Sequence, residues 1–228
     1  MFPFLFLGTW FASFLDDLFK VNNSLSISDL VNNNNNMVNS FNITDECLKF
    51  LGSYENFSAK AYKVKGENFY TIGYGSTRIF SKDGTTSRPV IATDTVTKEM
   101  ALFHKKMYYN QPNSVKSQID KIIRDNGVVL NQRFYDMLLQ VSYASGSFHK
   151  NAGFYNQYVT MLKRASRSND LKMLGELIKD NWIAYLKRYA RYSDFGLGWS
   201  RRAYASMQYV QKLDYSVATS EKVIKKPY

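Results

Sequence analysis

The feature that most constrains the fold is the run from residue 55 to residue 77, ENFSAKAYKVKGENFYTIGYGST, where a lone carboxylate closes a helical pattern and two alternating segments follow around a glycine. The helical pattern opens at Thr44, an N-cap residue type, with Asp45 and Glu46 placed to complement the helix dipole. Leu48, Leu51 and Glu55 fall at i, i+3 and i+7, so the carboxylate shares a face with apolar contacts. A carboxyl so placed is partly desolvated, and desolvation favours the uncharged form that a general acid must have in order to donate. A frayed helix end that leaves Glu55 in solvent satisfies the same spacing.

The two alternating segments predict a hairpin. Tyr62 and Val64 alternate with Lys63 and Lys65, Gly66 supplies a turn, and Tyr70, Ile72 and Tyr74 alternate with Thr71, Gly73 and Gly75. The second strand therefore has one aromatic and aliphatic face and one small, polar face. A face of Thr and two glycines leaves room for a ligand against the backbone; a tightly packed or bulged strand fits the spacing equally well.

Glu55, Tyr62 and Thr71 within TIGYG together resemble the phage-type lysozymes, the endolysin family of glycoside hydrolases that cut bacterial peptidoglycan. Further along, the segment VIAT at 90–93 is similar to the family's entry to its next helix, and residues 132–146, with Asp136, Leu138, Tyr143 and Gly146, to its central buried helix. Trp182 and the run Gly198, Trp199, Ser200, Arg201, Arg202 are similar to its closing Trp and Gly-x-x-Arg-Arg signature. In order along the chain these motifs span roughly residues 44–212. The resemblance implies Glu55 as proton donor to the glycosidic oxygen and Thr71 as the residue that positions or stabilises the attacking water.

The chain also departs from the family pattern. The position nine residues after Glu55, an Asp or Cys in the family, is Val64, and aligning back from Thr71 reaches Lys65 instead. Glu67 in the turn is the nearest substitute for the missing carboxylate. It has the same strand parity as Thr71, although four extended steps separate them by about 13 Å. Ser76 stands where the family has a His, Ala144 where it has an Asn, and Ala205 where it has a Glu, so three structural hydrogen bonds are expected to be lost. Arg201 and Arg202 read as structural.

Composition bounds the rest. With 45% hydrophobic and 16% aromatic residues the chain builds a core, which excludes wholesale disorder, and a formal charge of +11 suits a polyanionic neighbour such as nucleic acid, anionic lipid or bacterial wall. A single cysteine, Cys47, permits no internal disulfide. No Ser-His-Asp order, phosphate loop or cysteine cluster occurs, and His104 and His149 lack metal-ligand company and read as ordinary surface or helix residues. Basic and aromatic residues interleave around Lys187, Arg188, Arg191, Tyr185, Tyr189 and Tyr192, a pattern that serves nucleic acid, sugars or a solvated helix face. The resemblance selects the wall, with no specific nucleic acid and no cofactor or metal.

Residues 1–21 open with MFPFLFLGTWFASFL, shorter than the roughly 20 apolar residues a span requires and without a basic n-region. They read as an anchor or docking segment in contact with a membrane or a virion protein, or as an atypical export signal. Residues 22–43 read as an Asn-rich linker, 44–212 as the lysozyme-like domain and 213–228 as a basic tail. Asp83 and Gly84 predict a tight turn that completes a small three-stranded lobe, and helices are expected at 94–109, 114–125, 132–144, 154–165, 170–185 and 200–212.

The expected architecture is therefore α+β: a small antiparallel β-hairpin lobe and a larger helical lobe with a cleft between them, preceded by the apolar segment. The expected function is a muramidase cleaving the β-1,4 bond between N-acetylmuramic acid and N-acetylglucosamine in phage lysis or cell entry, virion-associated or at the host envelope or periplasm. The site residues are Glu55, Thr71 and Glu67. The alternative is a catalytically weak or inactive lysozyme-like wall-binding or structural protein of a virus particle.

Overall fold

The computed structural model describes residues 41–63, 66–145, 148–189 and 192–213. The apolar segment 1–21, most of the linker, Val64, Lys65 and nearly all of the basic tail lie outside the described residues.

Phe41 and Ile43, read from sequence as the end of the linker, already pack on the domain. The Phe41 ring lies 5.2 Å from that of Tyr135, and Ile43 is buried. Helix α1 (Asp45–Tyr54) then starts where its capping residue dictates: Thr44 is extended and its Oγ1 accepts the Cys47 N–H at 3.1 Å. Its inner face buries Cys47, Leu48, Phe50 and Leu51. The helix ends at Glu55, which is extended at φ −99° and ψ 131° while its N–H still reaches Leu51 O at 3.1 Å. Glu55 is thus the residue at which the helix hands over to the strands.

Strands β1 (Ser58–Tyr62) and β2 (Thr71–Gly73) pair antiparallel, with Ser58 opposite Gly73 and Tyr62 opposite Thr71. Four steps on β1 face two on β2, so the ladder is bulged. Strands β3 (Arg78–Phe80) and β4 (Ser87–Pro89) form a second antiparallel pair. At its tip the Asp83 carboxylate accepts from Ser81 Oγ, Thr85 N–H and Thr85 Oγ1, and Gly84 adopts φ +72°. The expected turn is present. In place of the expected three-stranded lobe there are, among the described residues, four strands in two hairpins, because Gly73 at φ +62° and Gly75 at φ +78° fold 72–76 into a tight turn. That turn is closed by reciprocal 2.9 Å bonds between the Ile72 and Ser76 backbones, which break the sheet between the pairs.

Among the described residues, six further helices make the larger lobe: α2 (Lys98–Tyr109), α3 (Val115–Asp125), α4 (Gln132–Ser145), α5 (Tyr155–Ala165), α6 (Leu171–Tyr189) and α7 (Tyr192–Val210). Every residue from 134 to 142 is buried, so α4 is the axis around which the others pack. Helix α2 begins later than expected because Thr97 caps it through the Met100 N–H. Asp94 is diverted to the Arg88 guanidinium, at 2.6 and 2.8 Å, and to the Ile91 N–H.

Both histidines are buried, so the expected surface-or-helix placement holds only in that His104 lies on α2; neither is a surface residue. His104 Nδ1 accepts the Phe80 N–H at 3.3 Å, tying α2 to β3, and His149 Nε2 lies 2.9 Å from Gln118 Oε1. Each ring finds a neutral hydrogen-bond partner inside the lobe, so a spacing argument tuned to metal ligands could not place it.

Candidate active site

Glu55 projects from the C-cap of α1 with its side chain 29% exposed, and Arg202 of α7 donates from Nη2 to its Oε1 at 3.0 Å. The same Arg202 nitrogen lies 3.3 Å from Gln140 Oε1 on α4, and the guanidinium sits 5.8 Å from the Tyr54 ring centroid. The carboxyl is therefore neither frayed nor free: one oxygen is held by a cation that two other helices position.

A second network fixes α1 against the same two helices. The Asp136 carboxylate, wholly buried on α4, accepts from Thr44 Oγ1 at 2.5 Å, the Thr44 N–H at 3.3 Å and Tyr209 Oη at 2.8 Å. Burial pushes the Asp136 carboxyl up, and the hydrogen bonds from Thr44 and Tyr209 hold it down. Arg133 adds a bidentate pair to Glu46 at 2.6 and 2.9 Å and donates to Tyr209 O. Both ends of α1 are thus pinned, and with them the position of Glu55.

Thr71 opens β2 and is buried. The small face of that strand is not an open groove. A Cβ on Gly73 would meet Ala101 Cβ at 2.6 Å, so α2 occupies the space that the sequence pattern offered to a ligand. Only Gly75 keeps room, its nearest neighbour being Lys105 Nζ at 3.8 Å from an added Cβ.

Glu67 is half-buried in the irregular segment between the strands, and β2 begins only at Thr71. The strand parity that put Glu67 and Thr71 on one face therefore does not operate. Among the described residues Glu67 enters no hydrogen bond or ion pair.

Sequence reasoning missed Lys105 and set Arg202 aside as structural. Lys105 is 1% exposed and donates to Tyr143 Oη and, at 3.5 Å, to Gly75 O; its Nζ lies 4.1 Å from the Tyr143 ring centroid. Burial pulls its ammonium down to about 8, a fall that Glu55 opposes and Arg202 assists. The signal was available: Ala101, His104, Lys105 and Tyr109 form the buried stripe of α2, and a lysine on such a stripe is out of place.

The phage lysozyme family model matches residues 52–183, a stretch that holds Glu55, Glu67, Thr71 and Lys105 but stops short of Arg202. No curated protein matches the chain.

Proposed function

The chain belongs to the phage lysozyme family, and from that premise we propose that it is a muramidase that hydrolyses the glycan of peptidoglycan with Glu55 as its acid. The observation that carries the reading is the half-buried Glu55 carboxyl at the junction of α1 and β1, anchored through Oε1 by Arg202. Anchoring Oε1 leaves Oε2 as the oxygen available for proton transfer and fixes its direction.

In this reading Oε2 protonates the departing glycosidic oxygen while positive charge develops on the sugar ring. The C–O bond breaks, water adds to the anomeric carbon, and the proton shed by that water passes to a base or to solvent and restores the acid form of Glu55. The resemblance assigns Thr71 to orienting the water, and Glu67, in the segment just before β2, is the carboxylate to test in place of the acid absent at position 64. The formal charge of +11 supports residence on an anionic wall, in lysis or cell entry.

Release of new reducing ends from purified peptidoglycan tests the assignment. Glu55→Gln is expected to lower the rate by about a thousandfold, and Glu67→Gln by about a hundredfold, the usual scale for loss of acid or base assistance. Retained activity in Glu67→Gln removes Glu67 from the mechanism. No release by the intact protein across roughly pH 5 to 8, where a tuned carboxyl works, overturns the enzymatic reading in favour of a wall-binding lysozyme fold.

A further inference from the structure

A cavity of about 210 Å³ is walled by the 72–76 turn and the start of β3 on one side and by α2 and α4 on the other. Liquid water takes about 30 Å³ per molecule, so the space suits several waters or a small organic group. Its polar lining is unbalanced. Lys105 brings a cation that is almost wholly buried, yet its partners are neutral, the Gly75 carbonyl and the Tyr143 phenol and ring. Among the described residues no carboxylate lies within ion-pair distance of that ammonium. A buried cation without an anion is unfavourable unless something supplies the missing charge.

The second observation is Ser76. The residue is 8% exposed, lines the same cavity, and its Oγ is buried without a hydrogen-bond partner. Buried hydroxyls in native proteins rarely stay unpaired. Arg78, at the exposed rim, commits Nε and Nη2 to Ser87 and adds positive potential. A buried ammonium, an unused hydroxyl and a second cation around one small cavity form a receptor for a two-oxygen anion.

We propose that this cavity is a carboxylate-binding site and that its occupant, on the peptidoglycan reading above on which this identification rests, is a carboxylate of the stem peptide attached to the glycan. The ammonium and the Ser76 hydroxyl each donate to the bound carboxylate. Lys105 lies within the electrostatic reach of Glu55, so a stem peptide held there anchors the sugar chain alongside the acid. Burial already lowers the affinity of Lys105 for its proton, so the site weakens as pH rises past about 8.

Titration calorimetry on the full chain at pH 7 tests this with a synthetic stem peptide bearing free carboxylates, the same peptide fully amidated, and acetate. The free acid is expected to bind at least tenfold more tightly than the amide. Lys105→Met, which replaces the cation by an apolar chain of similar length, is expected to abolish the difference, and Ser76→Ala to reduce it about threefold to fivefold. Equal binding of acid and amide by the intact protein overturns the site. If Lys105→Met does not fold, Ser76→Ala with unchanged discrimination does the same. Acetate that binds as tightly as the peptide, and is lost in the same variants, supports the site and overturns its peptide occupant. None of these readings requires cleavage: failure of Glu55 to release reducing ends leaves a positive titration standing, and the reverse holds equally.

Discussion

Arg202 and Glu55, 147 residues apart in sequence, meet through a single Nη2 to Oε1 hydrogen bond of 3.0 Å, and the same nitrogen reaches Gln140 at 3.3 Å. One guanidinium nitrogen thus joins the last helix, the central helix and the acid at the end of the first. Arg202 is 11% exposed, so solvent screens this pair less than a surface ion pair.

Removing that anchor should cost rate more than substrate affinity. In Arg202→Met the Glu55 carboxyl keeps its place on the backbone but loses its fixed aim, and misorientation of a reacting group commonly costs about 10 to 100-fold. Reducing-end kinetics should show kcat falling by about that factor with KM changed less than about threefold. A rise in KM at unchanged kcat would mean that Arg202 holds substrate rather than the acid.

The Asp136 network sets the entry of α1, and its loss should be felt as stability. Asp136→Ala leaves Thr44 Oγ1 and Tyr209 Oη without their shared acceptor in a fully buried position. Losing the acceptor of the Thr44 Oγ1, Thr44 N–H, Gln132 Nε2 and Tyr209 Oη donors predicts a fall of about 2–4 kcal/mol. Urea unfolding of the variant, read by tryptophan fluorescence, measures it. Less than about 1 kcal/mol would place the register of α1 in its apolar face instead.

Local rules made much of this fold legible. Thr44 caps α1, Asp83 and Gly84 make their turn, and Glu55 sits where the helical pattern stops, all decided by neighbours close in the chain. What stayed hidden depends on residues brought together from afar. The small face of Thr71, Gly73 and Gly75 has the same pattern whether a ligand or Ala101 lies against it. Arg202 carries no local mark of its distant partner, and the burial of His104 and His149 is settled by Phe80 and Gln118.

Gly73 offers a direct test of that face. Its φ of +62° disfavours a side chain, and a Cβ would press on Ala101 Cβ at 2.6 Å. Gly73→Ala should therefore destabilise by about 2–3 kcal/mol through strain and overpacking. Thermal unfolding checks this. A variant of wild-type stability that had lost only peptidoglycan binding would restore the groove reading of the strand.

Acid should loosen the lobe at His149. Burial first, and the neighbouring Lys150 charge second, hold its imidazole down at about 4, against an ordinary value near 6.5. A histidine depressed in the folded state contributes stability that is fully present above the unfolded value and is lost as pH falls from about 6.5 towards 4, because the unfolded chain takes up the proton first. The contribution is about 2 kcal/mol after allowance for solvent screening. Asp136, whose carboxyl is raised by burial, acts in the opposite sense at the acid end of this window, so the comparison must be differential. Urea unfolding at several pH values, for the intact protein and for His149→Gln, should show a gap between the two curves that varies by about 2 kcal/mol across that window. A pH-independent gap would mean that His149 is already protonated in the fold, its Gln118 contact then being a donated bond from a charged ring.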